Sequence, residues 1–177
     1  MATSRDAVWD NKDGLVVGFG TRAVTRAPNR KNDEGALQSI HMDFDWADLP
    51  VTSVAATDDQ LVHGPAIPNG AVLVSAHLTV LEAFAGGTSI TFGVYNADTA
   101  AAVDADGIIQ AEVTADIDAV GDIVNYTIAN AGASGAGADI GTVVATTEGV
   151  KVAGFATGTF TAGKATLEVK YMMPNVG

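Results

Sequence analysis

Cysteine is absent from the 177-residue chain, which removes disulfides, thiolate nucleophiles and cysteine-ligated metals from consideration. Stability has to come from packing or from assembly. Aromatic residues are scarce at 6%, and the apolar fraction of 47% rests on Ala, Val, Ile and Leu, with 20 Gly and many Thr between them. Such a palette suits thin strands joined by frequent turns. The opening MATSRDAVWDNKDG lacks the continuous apolar core of a secretory signal, and no run approaches the roughly 20 apolar residues that a membrane-spanning helix needs. The expectation is a chain made and kept soluble, with no membrane partner. Its length fits one ordinary domain with a core of its own.

Basic residues are also few. Nine Lys and Arg face 21 Asp and Glu, a formal charge of -12 that repels duplex phosphates over most of the surface and argues against a nucleic-acid partner. Residues 1–31 hold six of the basic residues against three acids, a net +3, whereas the remainder holds three lysines against 18 acids, a net -15. A basic segment therefore precedes an acidic body, and such asymmetry commonly marks a part that docks on something else. We read residues 1–36 as an extended basic arm with one or two short strands, and residues 37–177 as a single β-sandwich domain.

Strand signals dominate that second part. From Ser39 to Trp46, Ile40, Met42, Phe44 and Trp46 alternate with polar residues, the period-two pattern of a strand with one face in a core. Val51 to Ala55 and a Thr57–Gln60 turn follow, then a loop from His63 to Gly70 with at most one short strand. The longest signal runs from Ala71 to Phe84, with Val72, Val74, Ala76, Leu78 and Val80 predicted on one face. After the turn Ala85-Gly86-Gly87-Thr88, Ile90, Phe92 and Val94 alternate again, so residues 72–95 are expected to form a β-hairpin. Residues 97–120 read as loop plus one short helix or strand, with a turn at Asp104-Ala105-Asp106-Gly107. Asp122 to Ala129 is β-prone, the Gly/Ala-rich Ala131 to Gly141 reads as a long flexible loop, and Val143 to Thr147 as a further strand candidate. Val150 to Thr157 and Lys164 to Met173 are expected to close a second hairpin, with Ala165, Leu167, Val169 and Tyr171 in its apolar row. Short strands, frequent turns and no helical periodicity predict an all-β, antiparallel sandwich, for which a jelly roll is the natural two-sheet arrangement at this length.

No motif for catalysis stands out. His41, His63 and His77 fall on separate predicted elements, so neither a metal site nor a catalytic triad is expected. Asp104, Asp106 and Glu112 depart from the calcium-loop spacing, since Gly107 comes at the fourth place and Glu112 at the ninth. Ser134 lacks the strand and helix of a nucleophile elbow, and the glycines of AGASGAGADIG are followed by no Lys-Ser/Thr. Most aromatics occupy the apolar rows and read as core. Trp9 is the exception, placed in a polar arm where an indole commonly anchors on a partner. The reading is of a chain that is not an enzyme, with no catalytic residues, no metal and no cofactor. Trp9, Arg22, Arg26, Arg30 and Lys31 are the candidate contacts with a partner or a neighbouring subunit.

Three segments, AIPNGAVLVSAHLTVLEAFAGGTSITFGVYNADT, VDADGIIQAEVTADIDAVGD and GTFTAGKATLEVKYMMP, carry a resemblance over about residues 66–174. In pattern and composition they resemble the capsid decoration, or cement, proteins of tailed phages. The resemblance implies a jelly-roll body on the outer surface of the virion, as a homotrimer bridging copies of the major capsid protein. A head or tail protein that binds a glycan or receptor through the 131–141 loop region is the alternative, and a glycan hydrolase a remote third.

Overall fold

The computed structural model describes residues 7–10, 16–19, 37–51, 64–130 and 135–174. The chain divides into two units, Met1–Asn32 and Asp33–Gly177. In the first, β1 (Ala7–Asp10) pairs antiparallel with β2 (Val16–Phe19), with Trp9 opposite Val17. The expected Val51–Ala55 strand, the Thr57–Gln60 turn and His63 lie outside the described residues, apart from Val51.

The second unit is an antiparallel sandwich of two sheets, as the alternation predicts. Its strands are β3 (Leu37–Asp45), β4 (Ala66–Ile67), β5 (Val72–Gly86), β6 (Ser89–Asn96), β7 (Ala102–Val113), β8 (Ile123–Thr127), β9 (Gly135–Ala136), β10 (Val150–Thr157) and β11 (Phe160–Met172). One sheet has the order β3-β11-β5-β8, the other β4-β10-β6-β7-β9. Between them lies one apolar core that draws on both, including Ile40, Phe44, Leu78, Phe92, Ile109 and Leu167.

The two expected hairpins are not hairpins. β5 and β6 lie in different sheets, as do β10 and β11; β5 pairs with β11, and β6 pairs with β10. The two strand-turn-strand units thus lie against each other as one antiparallel ribbon, folded across the sandwich at Gly87-Thr88 and Gly158-Thr159. Backbone bonds carry the ribbon through the fold, with Gly87 N donating to Thr159 O at 2.8 Å and Thr88 N to Thr157 O at 2.7 Å. Sequence neighbours at a Gly turn look like a hairpin, but here each turn carries the chain into the opposite sheet, so that the apolar rows face each other across the core, and the ladder partners come from at least 54 residues away, as from Asn96 to Val150.

Aromatic rings seal this corner. Phe84 meets Phe160 edge-on at 5.6 Å between ring centroids, and Phe44 meets Phe92 at 5.0 Å. The rings sit directly on glycines: a β-carbon on Gly87 would overlap the Phe160 ring, and one on Gly163 the Phe84 ring. Both glycines also have positive φ, +56° and +136°, which a side chain would strain further.

Bulges account for the remaining differences. Ser75 pairs with Lys170 and Leu73 with Tyr171, so Val74 is an extra residue on β5. It shifts the alternation by one. Leu73 therefore faces the core and is 1% exposed, while Val72 and Val74, expected in the same inward row as Leu78, are only half buried. In β7 the effect is larger: between the pairs Phe92–Ile109 and Val94–Asp104, a step of two residues on β6 is matched by five on β7. The expected turn at Asp104–Gly107 is this excursion inside a long strand, and no helix forms around Ile108-Ile109. The excursion arches close enough to β6 that a β-carbon on Gly93 would overlap the backbone of Asp104 and Ala105. With Tyr95, Ala153 and the half-buried Phe155 it covers part of the outer face of that sheet.

Trp46 does not join the core row of β3. Asp45 caps a 3-10 turn over Trp46–Asp48, accepting from Ala47 N while Asp48 accepts from Asp45 N, and the chain swings Trp46 out to 39% exposure. The Gly/Ala segment is not loose from Gly135 onward. β9 pairs with β7, Gly137 N and Asp139 N donate to Ile108 O and Gly107 O, and a β-carbon on Gly137 would overlap the Gly107 backbone. Glycine here permits close backbone approach rather than motion. The Val143–Thr147 candidate is reduced to a single bridge between Val143 and Val72.

Since the corner aromatics occupy space that only glycine leaves open, Gly163→Ala is expected to lower stability by about 1–3 kcal/mol through overpacking and backbone strain. Phe160→Ala should cost about 3–5 kcal/mol by leaving a cavity there. Urea unfolding would check both; an unchanged midpoint for Gly163→Ala would show that the rings do not sit as described.

Candidate docking face

The outer face of the four-stranded sheet is built by register. Because β3, β11, β5 and β8 pair without displacement over their middle, residues far apart in sequence fall into cross-strand rows. One row reads Ser39, Lys170, Ser75 and Thr127; the next His41, Glu168, His77 and Asn125; the third Asp43, Thr166, Thr79 and Ile123. Neighbours in a row stand about 5 Å apart, close enough to pair.

They do pair. Glu168 lies 3.3 Å from the Lys170 ammonium and 3.7 Å from His41 Nε2. His77 Nδ1 is bonded to Asn125 Oδ1, and Thr166 donates to Asp43. Ser39 and Ser75 hydroxyls contact the Nε2 atoms of His41 and His77 at 3.2 and 3.4 Å. Two of the three histidines thus flank one glutamate, which the sequence reading placed on unrelated elements. Alternation along each strand does reveal that His41 and Glu168 are on polar rows; the register between strands 127 residues apart in the chain is not written in either. Solvent-exposed pairs of this kind contribute about 0–1 kcal/mol each, so their effect is on the face's shape and polarity more than on stability.

At one end the face turns apolar. Leu37 pairs with Met172, Met172 with Val72, and Val72 bridges to Val143, a row of four apolar side chains of which Leu37, Met172 and Val143 are exposed. Ile123 and Leu81 add exposed apolar surface on the same sheet. The result is a surface of polar cross-strand rows with an apolar margin.

Acidic residues gather on the other sheet. Asp104 and Asp106, on the β7 excursion, are joined by Asp139 from the segment after β9, which the calcium comparison did not include. Burial and a hydrogen bond with Asp106 push the Asp104 carboxyl up, and burial and the charges of Asp104 and Asp106 push Asp139 up. Gln110 Nε2 donates to Asp106 at 3.1 Å. Glu112 is not part of this group. It is 4% exposed and accepts from the Tyr126 hydroxyl at 2.8 Å, tying β7 of one sheet to β8 of the other. Burial raises the Glu112 carboxyl, an effect reinforced by Asp116 and opposed by the Tyr126 bond; burial and Glu112 raise Tyr126. Among the described residues no group of three or more His, Asp or Glu is placed to hold a metal ion.

A cleft of about 150 Å³ lies between the start of β5 and the segment before β10, lined by Leu73, Val94, Val143 and Val150 with Asp139 at its side. It is apolar and well below the roughly 300–1,000 Å³ typical of a small-molecule site. Of the candidate contact residues, Trp9 lies on β1; Arg22, Arg26, Arg30 and Lys31 lie outside the described residues.

Glu112, Asp104 and Asp139 all bind a proton more tightly in the folded chain than unfolded. Their contribution is fully present below the unfolded carboxylate range near pH 4 and is lost as pH rises through the raised values. Thermal unfolding is therefore expected at a higher temperature near pH 5 than near pH 8. Glu112→Gln, which keeps an acceptor for Tyr126 without the buried charge, should raise the melting temperature at pH 8 and flatten the pH slope. An unaltered slope in that variant would remove Glu112 from the account.

No protein-family model matches the chain, and no curated protein matches it. Among solved structures, the cyanophage Pam1 capsid asymmetric unit overlaps 88% of this chain and 97% of its own, at 14% identity and a TM-score of 0.48. An overlap at that score carries no conclusion about what this chain does.

Proposed function

We propose that the chain is a virion structural protein that binds the outer surface of a tailed-phage capsid and stabilises the shell by bridging major capsid protein subunits, as a homotrimer. The observation that carries this reading is the outer face of the four-stranded sheet, where polar rows and an apolar margin lie side by side, a mixture suited to contact with another large surface. The sequence pattern over residues 66–174 supports the same reading. So does the separation of charge, with a basic residue 1–31 segment ahead of an acidic body. A protein that touches several shell subunits at once gains avidity without any single strong contact, so no deep pocket is needed. In this reading the chain is not an enzyme, takes no cofactor or metal, and resides in the virion. Trp9, Arg22, Arg26, Arg30 and Lys31 make the contacts to the shell or to neighbouring copies.

The glycan-binding alternative drew on an adaptable loop at residues 131–141. From Gly135 to Gly141 that segment is bonded to β7 and β5, which leaves less of it able to shape itself to a sugar.

Removal of residues 1–31 is expected to abolish co-sedimentation with capsid shells while the β-sheet circular dichroism of the body persists. Binding retained at full stoichiometry would reject the role of the arm, and absence of shell binding by the intact chain would reject the capsid reading altogether.

A further inference from the structure

Asn69-Gly70 is the one Asn-Gly step in the chain. Such a step is chemically weak. The Asn side chain carries a carbonyl carbon within reach of the next backbone nitrogen, and glycine puts no β-carbon in the way. Asn69 is exposed, in the turn that joins β4 to β5.

The backbone of that turn is held from both ends. Ala71 N donates to Pro68 O at 3.2 Å, and Gly70, in the third place of the turn, has a φ of +82°. Glycine fills that position without strain. A β-carbon on Gly70 would meet nothing within 4 Å, so conformation and not packing sets the residue there. Before the turn, Ile67 pairs with Val150, and a β-carbon on Gly149 would overlap Ile67 O. After it, a short ladder joins residues 70–73 to residues 141–144. Gly70 N donates to Val144 O at 2.8 Å, Val144 N to Ala71 O at 2.8 Å, Leu73 N to Thr142 O at 3.1 Å and Gly141 N to Leu73 O at 2.7 Å. Ala71, Leu73 and Val144 are buried, so the ladder rests on the core. The nitrogen that would attack Asn69 thus has its proton engaged and its plane fixed.

We propose that Asn69 is a deamidation site kept latent by the Gly70–Val144 bond, reacting only when the ladder between residues 70–73 and 141–144 opens. Local openings of this kind cost less than global unfolding and expose single backbone amides. With the ladder open, hydroxide removes the Gly70 amide proton and Gly70 N bonds to Asn69 Cγ. The Cγ–Nδ2 bond breaks, and Nδ2 leaves as ammonia after taking a proton from water. Water then opens the cyclic imide, at Cγ to give aspartate or at the main-chain carbonyl carbon to give isoaspartate. Either product adds a negative charge to an already acidic body. Isoaspartate also inserts a methylene into the backbone, which shifts Gly70 N away from Val144 O. The reaction therefore records, in one direction, each opening at the start of β5 that lasts long enough for attack.

The test follows two rates on the full chain in mildly alkaline buffer, with and without urea at an unfolding concentration. Deamidation is read by mass spectrometry of the peptide that contains Asn69, and exchange of the Gly70 amide by nuclear magnetic resonance. Deamidation is expected to be at least about tenfold slower in the folded chain than in urea, and by the same factor that folding slows the Gly70 amide, since both need one opening. Val144→Pro, which deletes the Val144 N bond to Ala71 beside that of Gly70, should raise both rates together. If that variant does not fold, the wild-type comparison decides alone. Equal deamidation with and without urea, or a slowing that departs from that of the Gly70 amide in either direction, overturns the inference.

Discussion

The body is organised by one constraint: β5 pairs with β11 and β6 with β10, so the four strands form a single ribbon folded over the edge of the sandwich, and the apolar rows of its two halves face each other across the core. Each arm of the ribbon then forms the middle of a sheet, and β3, β8, β4, β7 and β9 attach on either side. The fold in the ribbon is closely packed. There four phenylalanines converge and the backbone beneath two of them has to be glycine, so shape complementarity at the corner links the turn sequences directly to the core.

The same constraint makes the outer face. From Ala165 to Lys170 the ribbon aligns β11 with β5 residue by residue, and β3 and β8 continue that alignment. Glu168 is thereby set between His41 and His77, and Lys170 between Ser39 and Ser75. Where the register slips, as at Val74, one row gives way to another and the apolar margin begins. The cross-strand rows of the outer face and the placing of β3 at the sheet's edge among the described strands both follow from the ribbon's central position.

Much of this was legible in the residues. Val150–Thr157 has the same bounds as a strand in sequence and in structure, and Ala165, Leu167, Val169 and Tyr171 are buried as their alternation requires. Ile40, Met42 and Phe44 likewise fill the core. What alternation could not show is pairing. Gly86-Gly87 looks like the turn of a local hairpin, because the partner that competes successfully for β5 lies some 80 residues further along. Bulges defeated the reading of β7, since two adjacent fully buried residues, Ile108 and Ile109, fit neither period. Glycines read as freedom in Gly135–Gly141 are there because two backbones touch. The polar rows and the Glu112–Tyr126 tie could not be seen without the register, although every member was polar or half-polar in its own strand.

The most direct measurement of the ribbon is a set of cross-strand proton contacts by nuclear magnetic resonance in the folded chain. Backbone contacts between Thr79 and Thr166, and between Phe92 and Gly154, are required if β5 pairs with β11 and β6 with β10. Contacts running between β5 and β6 in place of these, as two strands of a simple hairpin would give, would contradict the account at its root.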